Sequence, residues 1–179
     1  MCSTILTIGH STRPIDEFLD LLTAHEVEQV ADVRTIPKSQ RNPQFNSEDL
    51  RRALRGRHIR YVHLPKLGGL RHPRRDSINT GWRNASFRGY ADYMQTPDFE
   101  GSLKELTDLS SKHRTAIMCA EAVPWRCHRS LIADVLLARG VRVEHIVSKS
   151  SSKAHTYTPF ARVEGDRVTY PGESASLFE

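Results

Sequence analysis

The sequence predicts a three-layer α/β/α domain of the Rossmann-like or flavodoxin-like kind. A mostly parallel sheet of about five strands lies between helices, with a small β-hairpin near the C-terminal end. Three observations lead there. Short apolar strand-like runs alternate with helical stripes along most of the chain, the order that βαβ units impose. At 179 residues the chain has the length of one domain, enough to bury a core, so 1–179 reads as a single unit with 148–179 as an extension. A turn signal at Glu164-Gly165-Asp166 sits between two short runs in Phe160–Tyr170 and marks the hairpin.

Ser3 to Ile8 (STILTI) reads as the first strand. Pro14 suits a first helical position, Asp16 and Glu17 favour the first turn, and Ile15, Phe18, Leu19 and Leu22 form a helical stripe. Gln29 to Val33 is a second strand. Ser47 to Arg55 is a short basic helix capped by Asn46 or Ser47, with Leu50, Ala53 and Leu54 inward. Ile59 to Leu64 (IRYVHL) alternates as a third strand. Pro65 to Ala85 is long, rich in Gly and Arg, and lacks periodicity; loops of that length are usually functional or mobile. Ser86 to Met94 is a helix with Phe87, Tyr90 and Tyr93, and Thr96-Pro97 opens another with Leu103 and Leu106 inward. Arg114 to Met118 and Val141 to Val147 are the fourth and fifth strands, joined by a helix over Cys127–Arg139. Ser148 to Lys153 (SKSSSK) reads as a polar linker.

No apolar run approaches the ~20 residues of a membrane span. The first eight residues lack the basic and apolar regions of a secretory signal, and three cysteines do not make a disulfide framework. The expected setting is cytoplasmic, with no membrane partner and reduced thiols. The net charge of +5 conceals a stronger asymmetry. Between Arg34 and Tyr90 there are 14 Lys or Arg against three acids, a local excess of +11. Such a segment suits a polyanion, and the planar fork of Arg matches phosphate oxygens. Phe45, Tyr61, Trp82, Phe87 and Tyr90 lie among these cations, so nucleic acid is a candidate partner, with Trp82 the preferred stacking residue.

The segment Met118 to Ser130 (MCAEAVPWRCHRS) holds the densest chemistry. It leaves a strand and enters a helix, where open α/β folds place ligands and where the helix dipole favours anions and thiolates. Cys119, Glu121, Cys127 and His128 offer ligands suited to zinc or iron, although cysteines eight positions apart do not have a ribbon spacing. The same residues fit nucleophilic catalysis, with Glu121 as acid or base and His128 as a neutral base. They also fit a redox dithiol, and Cys119 as a plain core residue stays open beside these. Cys127, near the helix amino end beside Arg126 and Arg129, is expected to be the more reactive thiol. Parallel strands bring His10, Arg34, Lys66 to Gly69 and Cys119 to Glu121 to one carboxyl edge.

The motifs TIGHST (7–12), ADVRTIPKSQRNPQFN (31–46), HLPKLGGLR (63–71), FRGYADYM (87–94), MCAEAVPWRCHRSLIAD (118–134) and TPFARVEGDRVTYP (158–171) resemble domain of unknown function 488, in order along almost the whole chain. The resemblance implies a three-layer α/β fold and no settled reaction; some members carry loose nucleic-acid or DNA-repair descriptions. The leading expectation is an enzyme acting on a nucleotide, nucleic acid or other phosphorylated molecule. Cys119, Glu121, Cys127, His128 and His10 would be its chemical groups. Arg34, Lys66, Gly68, Gly69, Arg71, Trp82, Trp125, Arg126 and Arg129 would bind the substrate. The alternatives are a non-catalytic nucleic-acid-binding module on the Arg-rich face, and a thiol- or metal-dependent sensor.

Overall fold

The computed structural model describes residues 3–173. The last residues of the expected 148–179 extension therefore lie outside the described residues. Strands β1 (Thr4–Gly9), β2 (Gln29–Asp32), β3 (Arg60–His63), β4 (Thr115–Cys119), β5 (Arg142–Ser148) and β6 (Ser151–Ala154) form one sheet in the order β3-β2-β4-β1-β5-β6. The first five are parallel and β6 is antiparallel to β5. Helices α1 (Ile15–Ala24), α2 (Ser47–Gly56), α3 (Ala85–Tyr93), α4 (Pro97–Lys112) and α5 (Arg129–Ala138) connect them. Strands β7 (Arg162–Glu164) and β8 (Arg167–Thr169) are the expected hairpin.

The period-two alternation of a buried strand divides the core into two layers. On β4, Ala116 and Met118 face the α1 and α2 side with Phe18, Leu22, Leu50 and Leu54. Ile117 and Cys119 face the α3, α4 and α5 side with Tyr90, Phe99, Leu103 and Leu131. Helix ends follow their local chemistry: the Thr96 side chain accepts from the Phe99 amide at the start of α4. Asn46 is the cap residue of α2, but its side-chain oxygen accepts from the Ser39 amide instead of a helix amide.

Two elements differ from the sequence expectation. The 148–153 linker is largely strand, because β6 pairs with β5 through its backbone. All four β6 side chains are exposed, so no apolar alternation announces it. Helix α5 begins at Arg129, since Pro124–Arg126 forms a separate 3-10 turn and Cys127 has extended backbone. Among the described residues no helix is long and apolar enough to cross a membrane.

Candidate active site: a dithiol cleft at the carboxyl edge of the sheet

Strand β4 lies between β1 and β2, so the carboxyl ends of these three strands are adjacent. The His10 amide donates to the Cys119 carbonyl at 2.9 Å, and the Val33 amide to that of Met118 at 3.0 Å. Gly9 is required here: a Cβ would lie 1.9 Å from the Glu121 carbonyl oxygen. Above this edge opens a cleft of about 690 Å³, lined by residues from all three strand ends and from the loops before α2 and α3. Among the described residues, four non-glycine residues have positive φ. Glu26 and His58 follow helix ends, where that conformation is routine. Ser11 and Leu70, the other two, line the cleft. Backbone strain of this kind gathers at functional sites.

The two cysteines meet in the cleft wall. Both are free thiols and buried, with sulfurs 2.6 Å apart. Cys127 Sγ also lies 3.6 Å from His128 Nδ1 and accepts from the Arg129 amide at 3.5 Å. The Cys119 hydrogen bond holds the Cys127 thiol well below its ordinary range; His128 and the Arg129 charge lower it further against the opposing effect of burial. Cys119 is driven the other way, chiefly by burial and then by its hydrogen bond to Cys127. The structure therefore favours a Cys127 thiolate accepting from a Cys119 thiol. His128 Nε2 donates to the Val33 carbonyl at 3.1 Å, which orients its ring with Nδ1 toward the thiolate.

His10 stacks on Phe45, with ring centroids 4.3 Å apart. Its Nδ1 donates to the Ser11 carbonyl at 2.8 Å, and its Nε2 accepts from Arg34 at 3.4 Å. Burial lowers its pKa most, so a neutral ring beside Arg34 is consistent. The Glu121 side chain is exposed on the cleft rim and accepts from the Val123 amide at 3.1 Å.

The expected binding set divides. Arg126 and Gly69 line the cleft, and Gly69 packs beside His128. Arg34 lines it too, but its guanidinium is committed to Asp32 by bonds of 2.9 and 2.7 Å and to the Phe45 carbonyl. Arg129 is buried, donating to Thr7 at 3.1 Å and to the Glu121 carbonyl at 2.6 Å. Both arginines act as scaffold: Asp32 and the Phe45 carbonyl hold Arg34, and Thr7 and the Glu121 carbonyl hold the two terminal nitrogens of Arg129, whose Nε has no partner among the described residues. Gly68 packs on Thr35, and Lys66 reaches Asp98 at 3.7 Å in a separate depression. Arg71 stacks over Tyr93 at 3.6 Å. Trp82 packs against Phe87, Phe160 and Tyr170 and, with Trp125, borders a different cavity.

The metal set of Cys119, Glu121, Cys127 and His128 is not assembled. Among the described residues no three His, Cys, Asp or Glu are placed to share an ion. The reason is local: the Glu121 carboxylate turns back to the Val123 amide and His128 uses Nε2 on Val33. What sequence reasoning missed are Lys38 and Arg41, exposed cations on the cleft with no carboxylate partner among the described residues. They sit inside the 31–46 motif, which was the available signal.

No curated protein and no solved structure matches the chain. A family model described as Domain of unknown function DUF488 matches residues 14–136, most of the chain, and the protein therefore belongs to the DUF488 family.

Proposed function

We propose that the cleft is the active site of a thiol-dependent enzyme acting on a small phosphate-bearing molecule, with Cys127 as nucleophile. The observation that carries this reading is the Cys127 sulfur, held as thiolate by Cys119, His128 and the Arg129 amide in a cleft whose exposed cations are Lys38, Arg41 and Arg126. A lowered thiol pKa supplies the reactive species near neutral pH. In the reaction the thiolate forms a bond to the electrophilic centre as the leaving group departs. His128, as the imidazolium with Nε2–H on Val33 and Nδ1–H on the sulfur, gives its Nδ1 proton to the leaving group and is left neutral, and His10 and Glu121 border the same space. The three cations hold the phosphate. Several of the other segment cations are already paired, as Arg57 is with Asp20 and Arg74 with Asp76, which favours a small substrate over a nucleic-acid track.

Alkylation with iodoacetamide tests this. Cys127 should react first, and adenosine 5′-monophosphate or inorganic phosphate should slow the reaction in the native chain but not in a Lys38→Glu, Arg41→Glu variant. Preferential modification of Cys119, or no protection by either phosphate compound, would overturn the assignment.

The 2.6 Å sulfur contact favours a second reading, a thiol-dependent sensor. Cys127 thiolate would attack glutathione disulfide and release one glutathione thiolate. Cys119 would then lose its proton and displace the second, closing an internal disulfide. Loss of two hydrogen masses from the intact chain, abolished by Cys119→Ser, would support it; retention of both free thiols under oxidised glutathione would remove it.

A further inference from the structure

A second cavity of about 520 Å³ lies on the other side of the Ala122–Trp125 segment, walled by β5, β6 and residues 154–160. Among the described residues Ala122 is the one that lines both this cavity and the cleft, so the second cavity is a separate site. Its volume is in the range of small-ligand sites.

Its chemistry is distinctive. Trp125, Tyr157 and Phe160 present large exposed aromatic surfaces around one hollow, with 67%, 38% and 40% of their surface exposed. Exposed apolar area concentrated in a concavity marks a binding site more often than scattered surface residues do. Among the described residues no Asp or Glu lines the cavity, whereas Lys153, Arg13, His145 and His155 do. The Arg13 guanidinium is tied to Glu17, but Lys153 has no carboxylate partner among the described residues.

The histidines are fixed from below by a directional chain. Arg129 donates to Thr7 at 3.1 Å, Thr7 to His145 Nδ1 at 2.6 Å, and His145 Nε2 to His155 Nδ1 at 2.9 Å. His155 Nε2 then donates to the buried Asp134 carboxylate at 2.7 Å. Asp134 also accepts from the Thr158 amide and hydroxyl and from Tyr170. Every link has one donor and one acceptor, so the wall is rigid before any ligand arrives.

We propose that this cavity binds a planar aromatic anion, its ring against Trp125 and Tyr157 and its carboxylate or phosphate at Lys153. Ring faces supply contact area at low entropic cost, and a cation in an acid-free hollow selects the negative charge. The inference stands apart from the reading of the cysteine cleft.

Both tryptophans of the chain line the cavity, so intrinsic fluorescence reports occupancy directly. The full chain is titrated with adenosine 5′-monophosphate and with 4-hydroxybenzoate, beside neutral adenosine and 4-hydroxybenzamide. Saturable quenching is expected from at least one anion, about tenfold weaker for its neutral counterpart. The anion that binds identifies its source as nucleotide or aromatic acid. Lys153→Glu and Tyr157→Ala should each weaken binding about tenfold, while the Lys38→Glu, Arg41→Glu variant of the cleft leaves it unchanged. Four results would overturn the proposal: no saturable response to either anion at millimolar concentration, equal binding of the neutral compounds, indifference to both cavity substitutions, or loss of binding in the Lys38→Glu, Arg41→Glu variant. The last would move the ligand into the cleft.

Discussion

Beneath each of the two cavities lies a fully buried aspartate, and the two are neutralised in different ways. Asp32, under the cysteine cleft, accepts two bonds from Arg34 and one from Tyr61 at 2.6 Å. Asp134, under the aromatic cavity, has no guanidinium and accepts from His155, Thr158 and Tyr170. A guanidinium stays charged at every accessible pH, whereas an imidazole chain titrates. The cation under the cleft therefore keeps its charge as pH falls, whereas the aromatic cavity rests on a chain in which His145 takes up a proton in acid.

The largest expected effect tests the fixed foundation. Arg34→Leu leaves the Asp32 carboxylate buried without a cation and should cost about 3–5 kcal/mol in unfolding free energy. Urea denaturation measures it. A variant as stable as the native chain, with phosphate protection of Cys127 lost, would return Arg34 to the role of ligand and break the comparison.

The titrating foundation gives the next effect. Burial above all, then the charges of His155, Arg129 and Lys153, holds His145 down at about 4 against an ordinary 6.5. The fold thus favours the neutral ring. Its contribution is complete above 6.5 and is lost progressively as pH falls from 6.5 through 4, by at most about 3 kcal/mol. His10, lowered by burial, acts in the same direction from the cleft side. Urea midpoints measured across that window should fall with pH, and His145→Gln should flatten part of the slope. An unchanged slope in that variant would show that the histidine chain is not what titrates.

Asp134→Asn retains the shape and some hydrogen bonds and should cost about 1–3 kcal/mol, less than the loss of Arg34. Equal costs would erase the contrast between the two buried carboxylates. The smallest effect concerns the exposed cations. Lys66→Ala breaks a surface pair with Asp98 and should change stability by less than about 1 kcal/mol, with phosphate protection of Cys127 intact. A loss of that protection would bring Lys66 into the cleft.

The cysteine loop and its placement between a strand and a helix were legible, because a reactive cluster at a β-to-α junction is a local pattern. The lowering of the Cys127 thiol was legible only in part: the Arg129 amide and charge lie within two residues, but the Cys119 hydrogen bond that lowers it most is made by the fold. The fate of the arginines was not legible. Arg34, Arg126 and Arg129 look equivalent in sequence, yet two are buried scaffold and one lines the cleft in the open. The difference comes from Asp32, the Phe45 carbonyl, Thr7 and the Glu121 carbonyl, partners that only folding supplies. The expected metal set failed for the same reason, as Glu121 found an amide two residues away.

Periodicity and turn chemistry by themselves determined the alternating elements, the parallel sheet, the hairpin and the shared carboxyl edge, because these depend on spacing within one segment. Tertiary structure alone decided the β3-β2-β4-β1-β5-β6 order, the sulfur contact and the chain from Arg129 to Asp134. Those links join residues 7, 129, 134, 145 and 155, whose sequence separations carry no period and whose pairing exists only when the strands lie side by side.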